Sequence, residues 1–196
     1  MTQIYSLSLG ENIPDRGFYC CGVHPYYVMV VDKESLAVDY SDPRLVAVGE
    51  VGLDFRFAES VSRQIFWFEK QILLAHEHDL PMIIHCVKAL PQTLGMLQRG
   101  GVRRYVIHGF RGSLVKARQI IDSGGAISFG EALLSDMRLR EVARELPLDR
   151  LFLESDQSLV DIERLYETLA QLKGVELSIL KQEIDNNFKR IFHAKQ

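Results

Sequence analysis

The chain has 196 residues, 47% hydrophobic and 25% charged, with a net charge of −3. That composition suits one ordinary globular domain over 1–196 and excludes a disordered or fibrous chain. No apolar run approaches the ~20 residues that span a bilayer, and the acidic balance leaves any polyanion to a local basic patch or a metal.

The N-terminal "MTQIYSLSLGENIP" has neither a basic segment nor a long apolar one, so no secretion signal is expected. Its apolar run "IYSLSL" is followed by "FYCCGVH" after only "GENIPDRG", too short for a long crossover helix. The adjacent Cys20 and Cys21, with Cys86, make an odd set in apolar runs, which reads as reduced core residues of a cytoplasmic protein. "RLVAVGEVGLD" is the third strand-like run. In "SVSRQIFWFEKQILLAHEHDLP", Ile65, Phe68, Ile72 and Ala75 share a helical face. His76 and His78, two residues apart, diverge and read as surface residues. Pro81 forces Leu80 out of the helix and opens "PMIIHC". "RYVIHGF" follows, then a helix in "SLVKARQIIDSGG" with Ser113 as N-cap and Gly124 as stop. "GAISFG" and "RLFLESD" are the last two runs. Two closing helices direct Ile162, Leu165 and Leu169, then Ile184, Phe188 and Ile191, to the core; His193 reads as a surface residue. Alternating strands and helices predict an α/β chain with a parallel sheet.

One pattern in this order points to chemistry. His24, Glu50, His85, His108 and Asp156 each end an apolar run. In a parallel sheet those ends point one way, and in a (β/α) barrel they converge on one face. A lone histidine there is ordinarily a satisfied polar residue, Glu50 alone suits an arginine partner, and Asp156 alone suits a helix cap. Recurrence at equivalent positions favours a shared site. Carboxylates with imidazoles suit a divalent metal, which also offsets the charges of Glu50 and Asp156; acid–base roles are the alternative. Gly52, two residues after Glu50, is expected to leave room for whatever Glu50 binds. Gly49 is expected to admit a close neighbour on the other face.

Six stretches in this order, "GVHPY", "VGEVGLDF", "LPMIIHC", "VIHGFRGS", "AISFG" and "LFLESD", with "NNFKRIF" as a closing helix, resemble the TatD-type metal-dependent deoxyribonucleases of the amidohydrolase-like barrels. The resemblance runs from about residue 18 to the end. It implies a (β/α)₈ TIM-type barrel, one or two divalent ions (Mg, Mn or Zn) and hydrolysis of phosphodiester bonds in DNA. It implies Glu50, His85, His108 and Asp156 as metal ligands, His24 near the substrate phosphate, and Asp54 as a brace for the loop after Glu50. No histidine precedes His24, so the family's opening Asp-x-His-x-His strand has no counterpart. "IYSLSLG" matches the second strand, and the barrel is expected to be incomplete at the N-terminus, with seven recognisable strands. The family's Pro-rich loop after the last strand is absent, since "ESDQS" passes almost directly into a helix.

A metal on these ligands would activate a water, with Asp156 as general base and Glu50 essential. His24, Lys88 and Arg111 would hold phosphate oxygens. Metal-bound imidazoles must be neutral, so activity is expected to fall below about pH 6. The competing readings are a metallohydrolase of a small ester or amide and a non-catalytic relic of the scaffold. The open barrel edge is expected to be covered by residues 1–15 or by a second copy, as a homodimer.

Overall fold

The computed structural model describes residues 2–8, 11–31, 38–156 and 158–192. Every apolar run forms a strand: β1 (Ile4–Ser8), β2 (Phe18–Gly22), β3 (Leu45–Asp54), β4 (Met82–Val87), β5 (Tyr105–Ile107), β6 (Ala126–Phe129) and β7 (Leu151–Leu153). Strand order follows chain order. The pairs β1–β2, β2–β3, β3–β4 and β6–β7 are parallel. This is the α/β class and the seven-strand (β/α) succession expected of an incomplete TIM-type barrel wall. The helices are α1 (Val61–Glu77), α2 (Leu90–Arg99), α3 (Leu114–Asp122), α4 (Met137–Glu145), α5 (Ile162–Lys173) and α6 (Leu177–Phe192). No helix among the described residues is long and apolar enough to cross a membrane. The expected bland His193 lies outside the described residues.

The chain divides into two compact units, one of Thr2–Val106 with the residues from Ile191 onward, the other of Ile107–Arg190. In the first, α1 covers β3. Its buried stripe is Gln64, Trp67, Phe68, Gln71, Ile72 and Ala75, so three of the four expected residues are buried and the fourth, Ile65, is only half-buried at the edge of the stripe. Two glutamines were missed because polarity argues against burial, yet both are fully buried. Phe68 and Ile84 are also fully buried, and truncating a residue such as Phe68 to Ala costs about 3–5 kcal/mol.

In the second unit, Leu165, Leu169, Ile184 and Phe188 are buried as expected. Ser113 occupies the N-cap of α3 but makes no side-chain cap bond. Gly124, at φ +92, ends α3 with its amide on the Ile121 carbonyl at 2.9 Å. Asp136 caps α4 through the amides of Arg138 and Leu139, and Asp161 caps α5.

Candidate metal centre

The centre forms where β3 departs from regular pleating. Val48 pairs with Met82 but Val51 with Ile84, so β3 carries an extra residue at Gly49–Glu50. Such a bulge re-aims a side chain. Glu50 is the one residue of β3 that is not fully buried. The run therefore does not end at Glu50; the strand continues to Asp54.

Both glycines flanking Glu50 are required by β4. A Cβ on Gly49 would stand 2.8 Å from Ile83 Cβ and 2.9 Å from its carbonyl oxygen, which is the expected close neighbour. A Cβ on Gly52 would stand 2.1 Å from the His85 carbonyl oxygen. Gly52 also holds φ +138, a conformation side chains disfavour. The expected role of Gly52 is thus corrected. It makes room for the backbone of His85 rather than for a ligand of Glu50, because the bulge and the positive φ break the alternation on which that expectation rested.

Three donor atoms converge here. His24 Nε2 lies 3.1 Å from Glu50 Oε1 and His85 Nδ1 lies 3.0 Å from the same oxygen. The two ring nitrogens are 3.2 Å apart. Ligand atoms around a tetrahedral ion at ~2.05 Å stand roughly 3.3 Å apart, so the 3.0 Å between Glu50 Oε1 and His85 Nδ1 fits a divalent ion of the zinc or manganese kind. The side chains are nearly closed to solvent, at 16%, 17% and 12% exposure.

Hydrogen bonds on the far sides of the rings set which nitrogen carries the proton. His85 Nε2 faces Asp54 Oδ2 at 3.1 Å. Burial raises the Asp54 carboxyl, but hydrogen bonds from Arg56 and His85 and the Arg56 charge outweigh it and hold Asp54 well below the usual carboxylate range. Nε2 of His85 therefore donates, and in the neutral ring Nδ1 turns a lone pair toward Glu50. His24 is the reverse. Its Nδ1 accepts from the Tyr26 amide at 3.2 Å, leaving Nε2 as the donor in the neutral ring. Two lone-pair groups, Glu50 and His85, thus face one another beside a single ring donor, an arrangement that a cation completes.

The surroundings immobilise these groups. Gln64 hydrogen-bonds both backbone groups of Asp54, accepting from its amide at 2.7 Å and donating to its carbonyl at 3.0 Å. Gln71, two turns along the same face of α1, does the same for Val23, beside His24, at 2.6 and 3.3 Å. Arg56 clasps Asp54, with Nε on Oδ1 at 2.9 Å and Nη2 on Oδ2 at 2.5 Å. The Arg56 amide also binds Asp54 Oδ1 at 3.0 Å, so Asp54 braces the loop as expected. It additionally orients His85, which no sequence reading assigned. Paired glutamines seven residues apart in an apolar helical stripe were the available signal.

Elsewhere, Lys88 is exposed just after β4, at φ +55. In the second unit, His108 Nδ1 lies 3.4 Å from Glu154 Oε1. Ser128 donates a short hydrogen bond to the other oxygen of Glu154. Burial raises the Glu154 carboxyl, while the His108 hydrogen bond and charge, Ser128 and the Gly109 amide lower it further, so its net shift is downward. Asp156 is exposed at φ +43, and Arg111 is exposed. His76 and His78 lie at the surface, where His78 stacks on Tyr40 at 4.0 Å. Cys20 and Cys21 are free thiols, Cys86 Sγ lies 3.5 Å from the Thr93 hydroxyl, and burial pushes the Cys20 thiol up to about 12.

Known proteins similar to this chain share one family. The family model described as TatD related DNase matches residues 2–193. The chain is 32% identical over 198 residues to a protein of Escherichia coli K12 described as the uncharacterized metal-dependent hydrolase YcfH, covering 91% of this chain and 75% of that one. It is 31% identical over 160 residues to the 3′-5′ ssDNA/RNA exonuclease TatD of Erwinia tasmaniensis, covering 77% of this chain and 62% of that one. The crystal structure of the TatD homologue YjjV of Escherichia coli K12 superposes with a TM-score of 0.81 at 28% identity, over 90% of this chain and 76% of that one.

Proposed function

The chain belongs to the TatD related DNase family, and from that premise we propose that it is a metal-dependent hydrolase cleaving phosphodiester bonds in DNA. The observation that carries this reading is the convergence of His24 Nε2, Glu50 Oε1 and His85 Nδ1, all within 4.8 Å of one another. A divalent ion there, Mg²⁺, Mn²⁺ or Zn²⁺, supplies Lewis acidity toward water and a phosphoryl oxygen. Glu50 and His85 hold it with an oxygen and a lone-pair nitrogen, and Asp54 keeps the His85 proton on the far nitrogen. His24, as a donor at Nε2, is placed to bind a phosphate oxygen. Lys88 and Arg111 are proposed as further phosphate contacts. On sequence grounds, His108 and Asp156 are proposed as additional ligands, with Asp156 also accepting the water proton. Metal titration of His108→Ala and Asp156→Ala tests that assignment. On this reading residues 1–196 work as one hydrolase domain.

The deciding experiment measures bound metal and DNase activity for the purified chain and for Glu50→Ala. Metal and activity in the first, with loss of both in the second, are expected. A metal-free, inactive wild type that no added divalent ion activates sinks the enzyme reading in favour of a relic. Activity on simple esters without activity on DNA transfers the reading to a small-substrate hydrolase. A cytoplasmic location is proposed on the adjacent reduced thiols Cys20 and Cys21. A homodimer through β1, which among the described residues stands at the end of the strand order beside β2, is proposed to cover that edge; a monomer by light scattering removes it.

A further inference from the structure

Beside the centre lies a cluster that the metal chemistry leaves unused. Tyr26, Tyr27 and Phe57 are 50%, 49% and 38% exposed. A contiguous group of exposed rings beside a polar site marks a surface that binds something. The Tyr26 ring lies 4.4 Å from the His24 ring and 5.6 Å from the His85 ring, centroid to centroid. Phe57 lies 5.1 Å from Tyr26. Among the described residues, His24, His85 and Phe57 meet Tyr26 at steep interplanar angles of 84°, 69° and 74°, so none of the three lies parallel on its ring.

The cluster is held rigidly. Arg56 donates from Nη2 to the Tyr26 hydroxyl at 2.8 Å while bound to Asp54. Its guanidinium sits 5.7 Å from the Phe57 ring centre. The Tyr26 amide is anchored on His24 Nδ1. One short segment therefore presents an imidazole donor beside the metal donors and, two residues on, a fixed exposed ring next to a guanidinium.

We propose that Tyr26, supported by Arg56 and Phe57, is a base-stacking subsite that receives an unpaired nucleobase of a single-stranded DNA whose phosphate lies at His24, Glu50 and His85. The proposal rests on the phosphodiesterase reading above and adds the residues that receive the base. An interior base of a duplex is stacked on both faces and cannot lie on Tyr26, whereas an unpaired base can. A stacking platform is tolerant of sequence, because every base has a flat face. Arg56, fixed by Asp54, keeps positive charge beside the ring and favours the strand over a neutral aromatic compound.

The test measures fluorescence anisotropy of a labelled single-stranded oligothymidylate, and of the same strand with one abasic position at its 3′ end, in chelator without metal. Wild type is expected to bind the intact strand about tenfold more tightly than the abasic one. Tyr26→Ala is expected to lose about tenfold toward the intact strand and to stop distinguishing the two. Tyr26→Trp restores the difference. The ring is half exposed, so these variants are expected to fold, which circular dichroism checks. Failure of wild type to bind, equal binding of both strands, or discrimination that survives Tyr26→Ala overturns the subsite. Base discrimination in a chain that hydrolyses no DNA with any divalent ion sustains the subsite and removes the hydrolase reading. Hydrolysis without discrimination does the opposite.

Discussion

Gly52→Ala tests the structural logic of the centre most directly. The new Cβ would lie 2.1 Å from the His85 carbonyl oxygen, well inside the ~3.5 Å of ordinary contact, so β4 must retreat at His85 by roughly 1 Å. The positive φ adds about 1–3 kcal/mol of backbone strain, and the overpacking about 1–3 kcal/mol more. The expected loss is ~2–6 kcal/mol, a large part of a typical ~5–15 kcal/mol stability. A 1 Å displacement of His85 would also cost on the order of 10²-fold in turnover. Gly174→Ala is the control. Gly174 holds φ +64 with no heavy atom within 4 Å of a built Cβ, so strain acts there without collision, and about 1 kcal/mol is expected. Urea denaturation of both variants, with metal affinity by competition against a chelating dye, measures the difference. If Gly52→Ala loses no more stability than Gly174→Ala and binds metal normally, the close approach of His85 does not constrain the site.

Asp54→Asn should weaken metal binding about 10–100-fold by replacing the charged acceptor that holds the His85 proton on Nε2 with a neutral amide; unchanged affinity by calorimetry would show that His85 needs no charged partner. Gln71→Leu leaves the amide and carbonyl of Val23 buried without their side-chain partner, at ~1–3 kcal/mol each. A Gln71→Leu variant as stable as wild type in urea would refute that account. The Tyr19 phenol is pushed up to about 12 by burial, then by its hydrogen bond to Asp42 and the charge of Asp42. A raised phenol holds its proton more tightly folded than unfolded, so its stabilisation is complete below the unfolded value of ~10 and is lost as pH climbs toward 12. Tyr19→Phe should lose that part of the alkaline decline in stability, and an unchanged pH profile would contradict it. Saturating metal at 100 times its Kd should raise unfolding stability by about 2.7 kcal/mol in wild type and not in Glu50→Ala; equal stabilisation of both would place the ion elsewhere.

The seven strands could be read from the sequence because each is a short apolar run between turn residues, and burial of such runs needs no knowledge of partners. The patterns over α2 and α4 are too weak to mark them, and the apolar spacing in α1 finds Phe68, Ile72 and Ala75 of its buried stripe but not the glutamines. Gln64 and Gln71 are polar, and only the strand ends they bind make their burial favourable. His24, Glu50 and His85 were legible as a group for a similar reason, since their positions relative to apolar runs already imply one end of a parallel sheet.

What the sequence by itself determined is therefore the alternation of elements and the chemistry gathered at the strand ends, both of which follow from local pattern. Tertiary structure alone decided that Glu50 sits on a bulge within β3, that Gly52 yields to the His85 backbone, that Asp54 fixes the proton on His85, and that Tyr26 stands exposed beside His24. Each of these depends on the register between neighbouring strands or on contacts between residues far apart in the chain. A shift of one residue redirects every side chain, and no local pattern encodes it.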